Sequence, residues 1–419
     1  MTELEARREK LFSMMRENSV AVVFSGVSKI ASEDEDYPFV VNNNFFYLTG
    51  IKQEHSALIM VKGLGEKKSY LFVDEYNELK EKWTGKRITF DEAASISGLQ
   101  NVYSSDNFVN MLDLALTNKD NQYGAISTLY VDLSPEIKID DAKSTTTFAA
   151  EMEAKYNQLS IMDLKPFTTV MRMVKSQYEI EQIKDAINAT SLGINKLILS
   201  LRPGMFEYEL ADIFEFFGRG HNRSPLAFST IVAAGKNATC LHYPTQTSTI
   251  RQGELVLFDL GYQSNGYCAD ISRTFPVDGV FTGKGKAIYE AVLNCNKAVI
   301  EYAHAGLTIA DLQEFAKTFL KNECVRLGLL KKDEDIMKVY YHNVSHHLGL
   351  DTHDTSNRDK PLEEGNVITV EPGLYFADLS IGVRIEDDIL IHQDKAEVLS
   401  IGIPKEIEDI EKLFRTKGN

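Results

Sequence analysis

Asp259 and Asp270 stand eleven residues apart in ELVLFDLGYQSNGYCADISRTF, residues 254–275. This segment reads as two strands joined by a turn at Gln263-Ser264-Asn265-Gly266. A turn centred between Ser264 and Asn265 sets the two aspartates directly opposite each other; one centred between Asn265 and Gly266 makes them diagonal neighbours on the same face. Opposed Cβ atoms lie about 4.5–5.5 Å apart, and like charges there repel. Leu255, Val256, Leu257 and Phe258 flank the pair, so solvent relieves little of that repulsion. A shared divalent cation would relieve it; two solvated acids on an exposed edge are the alternative. Two further carboxylates lie on strand-like segments: Glu371 ends VITVE before Pro372-Gly373, and Glu386 lies in GVRIEDD with Arg384 on its own face. Four of the nine histidines, His342, His346, His347 and His353, then fall within twelve residues. Two aspartates, two glutamates and one histidine make an oxygen-rich set with one imidazole. Such a set suits two divalent metals of the manganese, cobalt, iron or zinc kind, bridged by carboxylates. It is too poor in sulfur for a structural zinc site.

These residues need a scaffold, and the sequence outlines one. Ser176-Gln177-Tyr178-Glu179 is a capping box, followed by apolar residues on a helical period to about Leu201; Pro203-Gly204 ends that helix and a second amphipathic helix runs from about Glu207 to Phe217. Two landmarks then recur in the same order. LRPGM at 201–205 and AHAGL at 303–307 each precede a helix, and Gly253 and Gly365 each open a strand with a carboxylate six residues on, Asp259 and Glu371. The pattern suggests two similar halves whose acids meet between them. Upstream, Ser19–Val27, Ala57–Val61, Tyr70–Val73 and Leu129–Leu133 read as strands, and Phe108–Leu116 and Phe148–Leu159 as helices, an α/β layer domain with His55 as its only histidine. A boundary near Pro166 divides the chain into residues 1–168 and 169–419.

Composition narrows the class. The chain has 419 residues, 43% of them hydrophobic, with 26 Gly and 10 Pro, which allows two or three domains. No apolar run approaches the roughly 18 residues of a membrane helix, and the charged start MTELEARREK is no secretory signal. Four single cysteines fit a reducing, cytoplasmic setting. A net charge of −16 repels phosphate backbones, so neither nucleic acid nor a membrane is an expected partner.

The motifs FDLG at 258–261, DISRTF at 270–275, SHHLGLDTHD at 345–354, EPGLY at 371–375 and GVRIED at 382–387 resemble the signature of the aminopeptidase P and prolidase family of dinuclear metallopeptidases. RREKLFSMMRENSVAVVFSG, DYPF at 36–39, NFFYLTG at 44–50 and WTGKR at 83–87 are similar to the aminopeptidase P amino-terminal domain. The resemblance implies an α/β amino-terminal domain and an α+β pita-bread catalytic domain of the creatinase and methionine aminopeptidase kind. It implies two divalent ions per chain, manganese first, with cobalt, zinc or iron also suited. Asp259 would bind one ion, Asp270 and Glu386 would bridge both, and His346 and Glu371 would complete the set. Glu371 would also shuttle a proton. His242 and His353 would face substrate and stabilise the tetrahedral intermediate, His342 would be a further substrate-facing histidine, and Arg384 would hold a carboxylate in place. Asn343 departs from a common glycine and His347 from a common bulky aromatic; His347 is read as structural or as a support to the ligands.

The activity so implied is that of an Xaa-Pro aminopeptidase, acting on peptides with proline second. The runner-up is a prolidase that hydrolyses Xaa-Pro dipeptides, which the metal motifs do not separate; the amino-terminal motifs favour the aminopeptidase. A non-catalytic binding protein of the same fold is the remote third, since such proteins lose ligands and all five are intact. A homo-oligomer, dimer or tetramer, is expected. Trp83, the only tryptophan, is expected in the core, with a substrate pocket across a subunit interface as the alternative. Asp270→Asn is expected to lose far more activity than Asp354→Asn, since Asp354 only follows a histidine.

Overall fold

Runs of β-branched and aromatic residues build a mixed sheet in the first part of the chain. Its strands are β1 (Ser19–Phe24), β2 (Ala57–Gly63), β3 (Glu66–Val73), β4 (Val102–Ser104), β5 (Thr128–Val131) and β6 (Ser160–Asp163), in the order β4-β3-β2-β1-β5-β6. β1–β2 and β2–β3 are antiparallel, and the other three pairs are parallel. Every residue of central β1 is buried, as a strand covered on both faces requires. Val20, Val22 and Phe24 pack on one face with Ile59, Val61 and Phe72, under Leu112 of the helix Phe108–Thr117 and Phe148 of the helix Thr145–Lys155. The latter helix starts three residues before its expected start because Ser144 caps it. β4 and β6, at three and four residues, carry too little pattern to be read in advance.

The structure is a computed structural model that describes residues 2–119, 122–219 and 224–416. The chain divides into two compact units, Met1–Met171 and Arg172–Asn419. Pro166 lies in the first turn of the helix Lys165–Met173. One expectation about the first unit fails. Trp83 is 81% exposed, on the seven-residue helix Glu78–Thr84, whose described side chains are polar or exposed and offer no apolar face to bury it.

The second unit carries two helix pairs, Gln177–Ser200 with Glu207–Gly218, and Gly283–Tyr302 with Ile309–Arg326. Beside the first pair run β7 (Ile231–Ala234), β8 (Leu255–Leu260), β9 (Gln263–Ser264), β10 (Tyr267–Cys268) and β11 (Ile271–Pro276); beside the second run β12 (Val367–Val370), β13 (Gly373–Phe376), β14 (Ile381–Arg384), β15 (Asp387–Ile391) and β16 (Ala396–Val398). The main sheets are β11-β8-β7 and β12-β15-β16. The expected repeat is visible in the backbone. Gly204 and Gly306 have φ of 87° and 96°, and Gly253 and Gly365 have φ of 81° and 89°, so the matched glycines fill matched left-handed positions. Among the described residues, no helix is long and apolar enough to cross a membrane.

Candidate metal centre

Each half of the second unit contributes one long two-stranded ribbon, and each ribbon breaks where its carboxylates sit. β8–β9 runs against β10–β11 in a single register around a turn at Asn265-Gly266, with φ of 48° and 90° as a two-residue hairpin turn requires. Asp259 therefore faces Ser272, and Asp270, two residues earlier, is its diagonal neighbour. Of the two registers the sequence allowed, this is the second. The ladder opens at Gly261-Tyr262 opposite Ala269-Asp270. A Cβ on Gly261 would lie 2.1 Å from the Ala269 carbonyl oxygen, so only glycine fits. Freed from the ladder, the Asp270 N–H donates to Asp388 Oδ2 at 3.1 Å. The second ribbon repeats the device. β12–β13 faces β14–β15 in one register, and Glu371 falls opposite Glu386 in the gap between Val370↔Asp387 and Gly373↔Arg384.

These breaks bring all nine residues singled out from the sequence to one cavity of about 690 Å³: Asp259, Asp270, Glu371, Glu386, His242, His342, His346, His353 and Arg384. Asp270, His346 and Glu386 each offer a ligand atom, and those atoms lie within 4.8 Å of one another. His346 Nδ1 donates to its neighbour's carbonyl oxygen, His347 O, at 3.1 Å, which leaves the Nε2 lone pair facing Asp270 Oδ2 at 3.4 Å and Glu371 Oε1 at 3.6 Å. A lone pair aimed at two carboxylates is repulsive unless a cation or a proton stands between them. Arg384, Lys317 and Arg358 are cations among the described residues lining the cavity. Arg384 donates to Asp259 Oδ2 at 2.7 Å.

The electrostatics follow. Burial, and then repulsion from Asp259, pushes Asp270 well above the usual carboxylate range, and burial with repulsion from Asp270 and Glu371 does the same to Glu386. Glu371 is pushed up to about 7, chiefly by burial. Four carboxylates and one imidazole lone pair on a buried wall are a donor set that fits divalent cations.

The remaining histidines differ in setting. His342 is held neutral, its pKa pushed down to about 3 by burial and then by Arg384. Its Nδ1–H donates to Asn343 O at 2.8 Å, so Nε2 accepts from the Tyr375 hydroxyl at 2.7 Å. His353 packs edge-on against His346 at 4.3 Å, and burial followed by His346 and His242 lowers its pKa. His242 is exposed and lines both this cavity and an adjoining one of about 440 Å³.

Sequence reasoning overlooked several residues of this neighbourhood. Ser272 Oγ reaches Glu386 Oε2 at 2.8 Å and Asp259 Oδ1 at 3.2 Å, and accepts from Arg384 Nε at 2.7 Å. The hairpin register could have pointed to it as the cross-strand partner of Asp259. Tyr375, the last residue of the EPGLY motif, links His342 to Arg384 but was given no role. Asp354 has structural partners that its place after a histidine did not reveal. It is buried, bonded to Arg172 Nη2 and to Lys175 Nζ at 3.0 Å, and its N–H donates to His347 O at 2.8 Å. It ties down the segment carrying His346 and His353. His347, 2% exposed, is packed as the structural reading expected.

Residues 181–393 match metallopeptidase family M24, and residues 4–123 match the aminopeptidase P amino-terminal domain. The Xaa-Pro aminopeptidase of Haemophilus influenzae is 35% identical, covering 98% of this chain and 97% of its own, and that of Escherichia coli is 31% identical over the same shares. Aminopeptidase P from E. coli with the inhibitor Pro-Leu superposes with a TM-score of 0.89 at 30% identity, covering 99% of this chain and 98% of that one.

Proposed function

The chain belongs to metallopeptidase family M24, with a pita-bread catalytic domain and the amino-terminal domain of aminopeptidase P, and on that premise we propose that it is an Xaa-Pro aminopeptidase. It releases the first residue of peptides whose second residue is proline. The observation that carries the reading is the convergence of four carboxylates, four histidines and one arginine on a single cavity, in a chain matching named Xaa-Pro aminopeptidases along 98% of its length.

Asp259, Asp270, His346, Glu371 and Glu386 would hold two divalent ions, with Asp270 and Glu386 shared; manganese is the first choice, and cobalt, zinc or iron are alternatives. Such ions, when bound, supply an electrophile for the scissile carbonyl and a water nucleophilic at neutral pH. The bond to proline is a tertiary amide, and its ring nitrogen needs a proton to leave. Glu371 takes the proton of the attacking water and hands it to that nitrogen. His353, whose pKa burial lowers, and His242 donate hydrogen bonds to the oxygen that gains charge. The free α-amine of the substrate would pair with Asp259 or with a bound ion, which makes the enzyme an exopeptidase. Arg384 and Ser272 keep Asp259 and Glu386 oriented. Exposed Trp83 supports the expected oligomer, and four unpaired cysteines support a cytoplasmic setting.

A tripeptide such as Arg-Pro-Pro separates this reading from the prolidase one, because only an aminopeptidase leaves room beyond proline. Chromatography of matched digests should show cleavage between residues one and two, with kcat/KM above that of an Xaa-Pro dipeptide. Dipeptide hydrolysis without tripeptide cleavage would put prolidase in its place.

A further inference from the structure

The loop that carries His242 is gripped by a buried carboxylate outside the reaction site. Glu207, in the first turn of the helix Glu207–Gly218, is 0% exposed. Its Oε1 accepts from Ala234 N–H at 2.8 Å and Asn237 Nδ2 at 2.9 Å, and its Oε2 accepts from Ser248 N–H at 3.1 Å. All three partners are neutral N–H donors. A carboxylate is buried without a cation only where such donors satisfy it, and this satisfaction is directed at one loop. Ala234 ends β7 where the loop leaves the sheet, and Ser248 lies where the chain returns beside residues 204–208. Asn237 carries the grip inward, since its Nδ2 also reaches Tyr243 Oη at 3.1 Å and Ser248 Oγ at 2.9 Å. Tyr243 directly follows His242. The histidine itself is exposed, and its side chain takes no hydrogen bond among the described residues, so its position depends on the backbone that bears it.

We propose that Glu207 is a positioning residue for the reaction: through Asn237 and Tyr243 it fixes the 234–248 loop at the one placement from which His242 reaches the substrate carbonyl. This rests on the role given to His242 above. The amide of Glu207→Gln turns an NH₂ group toward N–H donors on one side, so this near-isosteric change releases part of the grip.

The test is a double-mutant cycle on the metal-loaded full chain, with kcat and KM for Arg-Pro-Pro, metal content and Tm measured for the parent, Glu207→Gln, His242→Ala and the double variant. Glu207→Gln should lower kcat about tenfold or more with metal content unchanged, yet cost less than about twofold once His242 is already alanine. A purely structural role would give the same factor in both backgrounds, and that result, or an unaltered kcat in Glu207→Gln, would overturn the proposal. If Glu207→Gln does not fold, Asn237→Ala takes its place in the cycle under the same rule. A His242→Ala enzyme as active as the parent would instead remove the role of His242 and the proposal with it, an outcome distinct from equal factors in two impaired backgrounds.

Discussion

His346, His347 and His353 crowd into eight residues, and their surroundings give them three separate fates. His346 presents a bare Nε2 to Asp270 and Glu371, so His346→Ala should lose both metal and activity. His353 touches His346 only through its ring, so His353→Ala should keep its metal and lose kcat. His347 is buried, so His347→Ala should leave kcat per folded molecule within a few-fold and lower stability by about 1–3 kcal/mol. Metal content, kcat and Tm of the three variants check these roles; a severe kcat defect in His347→Ala with intact Tm would show that the roles are misplaced. At this scale the site was largely legible, because a carboxylate or imidazole announces its chemistry by type. Ser272 and Tyr375 were not, because a hydroxyl says nothing until its neighbours are known.

Elements explain what residue types alone do not. The aspartate hairpin could be drawn in advance to within one step of register, because its turn lies within Gln263-Ser264-Asn265-Gly266 and either centre keeps both aspartates on one face, whereas Pro372-Gly373 interrupts the other ribbon and hid the pairing of Glu371 with Glu386. The partners of Asp354 were hidden for a related reason: Arg172 and Lys175 lie 182 and 179 residues away in the chain. Contacts at that separation leave no local pattern. The consequence is a contrast between two buried aspartates. Asp354→Asn removes the buried counter-charge of Lys175 and one of two acidic partners of Arg172, and should destabilise the second unit by about 3 kcal/mol, a fall in Tm of several degrees, while surviving folded enzyme keeps most of its kcat. Asp270→Asn removes repulsion from the ion-free site and should leave the Tm of chelated protein unchanged or raised, yet lose far more than tenfold in activity at saturating metal. Tenfold is only about 1.4 kcal/mol of barrier, too little for a shared ligand. Thermal melts of both variants with and without chelator, alongside rates, decide the matter. Equal behaviour of the two would contradict the assignment.

Across the whole molecule, the two matched halves each deliver acids to one buried wall, and the charge there links folding to pH. With the folded values of Asp270, Glu371 and Glu386 raised above the unfolded range of about 4.3, these ion-free acids bind more protons folded than unfolded. Their contribution to the stability of chelated protein should therefore fall as pH rises from about 4.5 through about 7, the value to which Glu371 is pushed, while neutral His342 contributes in the opposite sense. Divalent ions oppose this by binding the ionised form. The difference in Tm between metal-loaded and chelated protein should be small at about pH 5 and large at about pH 8. A difference independent of pH would mean that these acids are not the ligands. The repeat was visible in the sequence through its glycines, but which acids would meet depended on two ribbons folding against each other.

The central claim, that five residues hold two divalent ions on which hydrolysis of the Xaa-Pro bond depends, is tested most directly by titrating chelated protein with manganese while following binding and Arg-Pro-Pro hydrolysis in the same samples. Activity should rise from background and level off as bound metal approaches two ions per chain, and Asp270→Asn should fail to reach either plateau. Full activity in protein carrying less than about a tenth of an ion per chain would contradict the account.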